Sequence, residues 1–205
     1  MAGTCFIFGA GEYYADPVSP REGDFIIAAD GGYAYLNELG ASPDLIIGDF
    51  DSLPAPPEGR EVITLSPLKD DTDVLAAIKE GWARGFRRFC VYGGTGGRID
   101  HTLANIACVA GVAQQGGRAW LYDKTSVITA VHNGAMCFPA GLEGYISIFA
   151  YTDEAEGVCA RGFKYELEDA RLVSTFPKGV SNEFDGRQAR VSVARGTIVI
   201  IYPKK

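Results

Sequence analysis

Up to residue 124 the chain repeats one pattern: a run of four or five apolar residues, a polar turn, then a stretch with helical spacing. The runs are "CFIFG", "DFIIAAD", "DLIIGD", "EVITL", "RFCVYGG" and "RAWLYD". The helical stretches are "YAYLNELG", "DTDVLAAIKEGWARG" and "IDHTLANIACVAGVAQQGG", the last two closing on glycine, a common stop signal. Short unbroken apolar runs suit strands covered on both faces, and intervening helices supply the crossover that parallel neighbours require. The alternation therefore predicts an α/β layer with a mainly parallel sheet and ligands at the carboxyl ends of its strands.

Past residue 125 the texture changes. Helix-length amphipathic periods vanish, and "SVITAVHNG", "YISIFAY", "GVCARGF", "ARLVSTF", "QARVSVARG" and "TIVIIYP" follow one another between Gly, Asp and Pro turns. Such a series predicts an antiparallel β-sandwich or barrel-like domain. The expected division is thus 1–124 for an α/β domain and 125–205 for a β domain. No low-complexity linker separates them, so close packing is expected, and no fixed-period repeat is visible.

The 205 residues can bury a real core, and the formal net charge of -7 argues against nonspecific binding to nucleic acid or anionic lipid. No apolar run approaches a membrane span. "MAGTCFIFGAG" enters a strand without a basic leader, and the five cysteines are odd in number and set mostly among apolar neighbours. These features predict a cytoplasmic protein with reduced core cysteines. With two histidines and no C-x-x-C, a zinc centre has too few ligands.

Carboxylates gather at the strand exits. "PDLIIGDFDSLP" carries Asp49 and Asp51, which a continuing strand would place on one face. At about 4 Å and an effective dielectric near 20 they would repel by about 4 kcal/mol, so a cation, a shared proton or full solvation should offset them. "AADGGY" places Asp30 after a strand. "PLKDDTDVLAAI" places Asp70, Asp71 and Asp73 at a helix start, and "GGTGGRIDHTLANI" does the same for Asp100. Taken singly, Asp70, Asp71 and Asp73 read equally as dipole-complementing helix acids, Asp30 as a turn former and Asp100 as a cap. Taken together at one sheet edge they read as a site. Oxygen ligands without cysteine or histidine suit Mg²⁺ or Mn²⁺, which is usually shared with substrate phosphates. Lys69, Arg98 and the glycines of "GGTGG" could face those phosphates.

That loop matches neither a P-loop nor a dinucleotide fingerprint. "GAGEYY" is a partial fingerprint, with Asp30 about twenty residues on, but Tyr14 takes the third glycine's place. A nicotinamide-dependent oxidoreductase remains one alternative, and a non-catalytic sensor of a nucleotide or other small molecule another.

"AADGG", "PDLIIGDFDS", "LKDDTD", "GGTGGRIDHTLANI" and "GVSNEF", in this order, resemble the thiamine pyrophosphokinases of the bacterial type over nearly the whole chain. The resemblance implies transfer of diphosphate from ATP to the hydroxyl of thiamine, releasing AMP, with Mg²⁺ (or Mn²⁺) and a homodimer whose active sites lie between subunits. It implies that Asp49, Asp51 and Asp73 hold metal. It places Asp30, Gly31, Gly32, Lys69, Asp70, Thr72, Thr95, Gly96 and Arg98 around the nucleotide and its transferred diphosphate. Ser181, Asn182 and Asp100 are expected near thiamine. In the mechanism so implied, Lys69 and Arg98 take up phosphoryl charge, and Asp73 or Asp100 orients or deprotonates the attacking hydroxyl. His101 reads at least as well as a buried structural imidazole, and Phe176 and Phe184 flank an expected "GVSN" turn.

Overall fold

The computed structural model describes residues 3–14, 18–50, 61–66 and 71–204. Its chain forms two units: Met1–Cys108 with Leu121–Lys124, and Val109–Trp120 with Thr125–Lys205. Helix α3 (Ile99–Gln114) and strand β6 (Arg118–Tyr122) are divided between them.

In the first unit, β1 (Cys5–Phe8), β2 (Phe25–Ala29), β3 (Leu45–Gly48), β4 (Val62–Thr64) and β5 (Arg88–Tyr92) lie in the order β5-β1-β2-β3-β4. All four pairings are parallel, with Cys5 opposite both Phe25 and Phe89, Ile27 opposite Leu45, and Ile46 opposite Val62. Every residue of β3 is buried, as a parallel strand covered on both faces should be. Helix α1 (Gly32–Glu38) follows β2, and α2 (Asp73–Ala83) buries Val74, Ala76, Ala77, Ile78 and Gly81. Thr72 starts α2 by accepting a hydrogen bond from Leu75 N at 3.2 Å. Gly85, at φ +93°, ends it: its own N–H bonds Trp82 O and that of Phe86 bonds Gly81 O, the two-bond glycine closure of a helix. Gly116 closes α3 in the same way.

The second unit is antiparallel throughout. One sheet orders β12 (Gly179–Glu183), β9 (Tyr145–Ala150), β14 (Thr197–Pro203) and β7 (Ser126–His132). The other orders β11 (Leu167–Val173), β10 (Glu154–Arg161), β13 (Ala189–Ser192) and β8 (Ala135–Phe138). Ile146, Ile148, Ile198 and Ile200 from the first sheet share a core with Val158, Ala160, Leu172 and Val191 from the second, which makes the unit a sandwich. Phe163 and Phe184 fill it with Phe138, whose ring meets both edge-on at 6.2 and 5.2 Å.

Several local expectations change. The strand carrying Asp49 stops at Gly48, and Phe50 turns to φ +56°, so strand alternation does not continue through 49–51; Asp51 itself lies outside the described residues. "GVSN" is not a turn but part of β12, bulged between Gly179 and Asn182 with Ser181 at φ +59°. Phe184 is core while Phe176 is 65% exposed. Strand β8, "AMCF", gave no signal because four residues are too few to show a period. The cysteines are free, yet Cys137 is exposed rather than core. No helix among the described residues is long and apolar enough to cross a membrane.

Gly81 sets how closely α2 approaches the sheet, because a Cβ there would lie 2.7 Å from the Phe89 ring and 2.9 Å from Cys5 Sγ. Alanine would add about 1 kcal/mol of helix propensity but overpack the contact by about 1–3 kcal/mol. Gly81→Ala should therefore lower the urea midpoint; a rise would mean that the helix moves away at little cost.

Candidate active site

A cavity of about 320 Å³ opens in the first unit at the carboxyl ends of β1, β2 and β5. Its wall is assembled from five short segments: Gly9–Gly11 after β1, Ala29 and Asp30 at the end of β2, Thr72–Val74 at the start of α2, the glycine loop after β5, and the first turns of α3. The first-turn N–H groups of a helix have no partner within it, so the starts of α2 and α3 give this wall donors and partial positive charge.

The two glycine segments are joined through their main chains. Gly9 N donates to Tyr92 O at 2.8 Å, Gly11 N to Gly93 O at 2.6 Å and Glu12 N to Thr95 O at 2.9 Å. A Cβ on Gly11 would sit 2.5 Å from Thr95 O, and one on Gly9 would sit 2.8 Å from Gly93 O. Both obstacles are backbone and cannot swing aside. Gly9 and Gly11 are therefore accounted for by this approach of two loops, which removes the reason to read "GAGEYY" as a dinucleotide fingerprint. Tyr13, next along, donates its hydroxyl to Gly9 O and stacks on Tyr35 with centroids 3.5 Å apart.

Five of the expected site residues reach the cavity wall: Asp30, Thr72, Asp73, Thr95 and Arg98. Asp30 sits at φ +48° with its N–H held by Ile47 O at 2.8 Å, as its turn reading expects, and it also lines the cavity. Asp73 is the first residue of α2, where the helix dipole favours a carboxylate. The Thr72 oxygen is engaged as the helix cap. Thr95 is 4% exposed and its hydroxyl donates to Asp123 Oδ1 at 2.6 Å, leaving a lone pair rather than a proton for any ligand.

Others lie off the wall. Gly31, Gly32, Asp49, Gly96 and Asp100 do not line the cavity. Gly32 has a packing reason instead, since a Cβ there would fall 1.9 Å from Phe8 O. Asp100 pairs with Arg98, Nη2 to Oδ2 at 2.5 Å and Nε to Oδ1 at 3.1 Å, with both side chains exposed. The guanidinium's hydrogen bonds, with help from the His101 N–H, hold the Asp100 carboxyl below its ordinary value. Asp71 pairs with Lys79 at 2.5 Å, away from any ligand role. His101 is exposed and lines the cavity, so of its two readings the buried structural imidazole does not hold. Asp51, Lys69 and Asp70 fall outside the described residues.

Sequence reasoning missed Asn105 and Asp123. Both act on "GGTGG", Asn105 through Gly94 and Asp123 through Thr95. The spacing from His101 to Asn105, one helical turn, was the available signal for the first; a lone aspartate after β6 gave none for the second.

Ser181 and Asn182 belong to the second unit. Asn182 is 6% exposed and its amide is committed: Oδ1 accepts from Tyr165 N at 3.0 Å and Glu183 N at 2.8 Å, and Nδ2 donates to Tyr165 O at 2.6 Å. It fixes the backbone of Tyr165, whose ring is 57% exposed with the Lys164 ammonium 5.5 Å above it. Trp82, by contrast, stacks on Phe89 beneath Arg87 and is structural.

Two family models match the chain: "Thiamin pyrophosphokinase, catalytic domain" over residues 21–121 and "Thiamin pyrophosphokinase, vitamin B1 binding domain" over residues 137–198. A thiamine pyrophosphokinase of Bacillus subtilis is 27% identical over 190 residues, covering 85% of each chain. A crystal structure of the thiamine pyrophosphokinase from Bacillus subtilis superposes with a TM-score of 0.87 at 25% identity, over 98% of this chain and 99% of that one. A thiamin pyrophosphokinase family protein of Enterococcus faecalis gives 0.82 at 27% identity over the full length of both.

Proposed function

The chain belongs to the thiamin pyrophosphokinase family, whose members transfer diphosphate from ATP to thiamine and release AMP, and we propose that the first-unit cavity is where this chain holds the triphosphate. The observation that carries the assignment is the pairing, on one wall, of two helix N-termini and a glycine loop with the carboxylates Asp30 and Asp73. Donors suit phosphate oxygens, and the carboxylates suit a cation lying against them.

Among the described residues no three His, Cys, Asp or Glu side chains form a ligand cluster. Mg²⁺ needs none, because it is commonly held by one or two carboxylates, several waters and the substrate phosphates. The oxygen-rich, thiol-free wall fits such an ion, which Asp73 would hold with Asp30 beside it; Asp49, given a metal role by the resemblance, does not line the cavity, and Asp51 lies outside the described residues. Neutralisation of charge on the phosphoryl oxygens is what the cation supplies when bound.

The chain's own groups do the positioning. Asp30, Thr72 and Thr95 frame the nucleotide from the wall. Arg98 and Lys69 meet the charge of the transferred diphosphate. The thiamine hydroxyl attacks the β-phosphorus in line with the departing AMP, and a loose transition state makes orientation count for more than proton abstraction. Asp73 lies on the wall and Asp100 does not, so Asp73 is the better placed to orient that hydroxyl. The second unit receives thiamine. Tyr165 offers its rings an exposed aromatic face, and a π-face that attracts the Lys164 ammonium, 5.5 Å from its centroid, can attract a cationic heterocycle in that ammonium's place. Asn182 holds Tyr165 in place, and Ser181 lies beside it in β12. Ile99 and Leu103, one turn apart on α3 and 74% and 62% exposed, support a homodimer that covers them beside the cavity.

Incubation with Mg·ATP and thiamine should yield AMP and thiamine diphosphate in equal amounts by chromatography, and Asp73→Asn should lose at least about 100-fold in turnover. ADP as the nucleotide product would end the diphosphate-transfer reading. Tyr165→Ala should raise KM for thiamine about five- to tenfold while KM for ATP stays put, and Tyr165→Phe should restore it; equal effects on both substrates would place the ring elsewhere. Light scattering should give twice the 21.9 kDa chain mass, and a monomer would remove the dimer.

A further inference from the structure

Asn105 is buried on the cavity wall, with 6% of its surface exposed. Its Nδ2 donates to Gly94 O at 2.8 Å. A carbonyl can only accept, so this bond settles the orientation of the amide: nitrogen toward Gly94, oxygen away from it. Gly94 makes the contact possible, since a Cβ there would come within 3.2 Å of that nitrogen and 2.6 Å of a Leu121 methyl. The Oδ1 joins no hydrogen bond with the described residues, yet no side-chain oxygen among them is both sealed off and unpaired. The oxygen is therefore open to the cavity.

An acceptor in that place repels phosphate oxygens, which are acceptors themselves. Its position also sets it back from the start of α3. At 1.5 Å per residue, Asn105 lies roughly 9 Å along α3 from Ile99, whereas the pull of a helix N-terminus on anions fades within the first turn. The attacking hydroxyl and any cation must stay beside the phosphates. What remains within reach is the nucleoside, which carries O–H and N–H donors.

We propose that Asn105 is a specificity-determining residue that reads the nucleoside of the co-substrate, its Oδ1 accepting a hydrogen bond from a ribose hydroxyl or from the purine amine while its Nδ2 holds the glycine loop. This rests on the assignment of the cavity to ATP. Steady-state rates with ATP, 2′-deoxy-ATP, 3′-deoxy-ATP and purine riboside triphosphate identify the donor. The wild type should lose about tenfold in kcat/KM with one of the three analogues, because the buried oxygen is then left without its partner. In Asn105→Leu the discrimination should disappear, with kcat/KM for that analogue and for ATP equal to within about twofold, whatever happens to the overall rate. A purely structural asparagine would slow all four nucleotides alike and leave the ratio intact. Equal use of all analogues by the wild type overturns the proposal, as does an unchanged ratio in Asn105→Leu. If the leucine variant melts below the assay temperature, Asn105→Ala measured by equilibrium nucleotide binding serves the same comparison. AMP release by the wild type from ATP and thiamine is followed in parallel. Its absence removes the transfer reaction itself, whereas AMP release with indifferent analogue use removes only the role of Asn105.

Discussion

The cavity exists because two loops touch through their backbones. Three main-chain hydrogen bonds tie the segment after β1 to the last residue of β5 and the loop that follows it, and glycine at positions 9 and 11 lets the two chains come close enough to form them. Backbone contacts of this kind tolerate no adjustment of rotamer, so the geometry of the wall is set before any side chain is placed. Asn105 and Asp123 then hold the second loop, one through the Gly94 carbonyl and the other through the Thr95 hydroxyl. A flexible glycine-rich loop becomes a fixed surface by being gripped on both sides.

The electrostatic character of the wall follows from this arrangement. Helix starts and loop amides contribute diffuse positive potential, while Asp30 and Asp73 contribute localised negative charge. Neither alone suits a polyanion accompanied by a metal; interleaved, they suit both. The protein as a whole is acidic, at -7, so binding of an anion depends on these local donors rather than on the global field.

Much of the architecture was legible because the relevant signals are local. Apolar runs in the first unit matched β1 to β6 to within one or two residues at each end, and the glycines that close α2 and α3 fell where the backbone needs a left-handed residue. Strand β12 was hidden for the opposite reason. Its "GVSNE" is polar, is bulged, and takes its strand character from pairing with β9 rather than from its own residues. The site was legible as a set of residue types but not as a surface. Asp30, Thr72, Asp73, Thr95 and Arg98 reach the wall, yet nothing in the letters indicates that the Thr95 proton points at Asp123 or that Asn182 is occupied with Tyr165. The same-face argument for Asp49 and Asp51 assumed a strand that the left-handed Phe50 interrupts.

Arg98 and Asp100 are bound to each other at the mouth of this region. A guanidinium carries five N–H groups in a fixed fork, and this pair engages Nε and one hydrogen of Nη2. The aspartate therefore braces the fork without filling it, and three donors are left for a second acceptor.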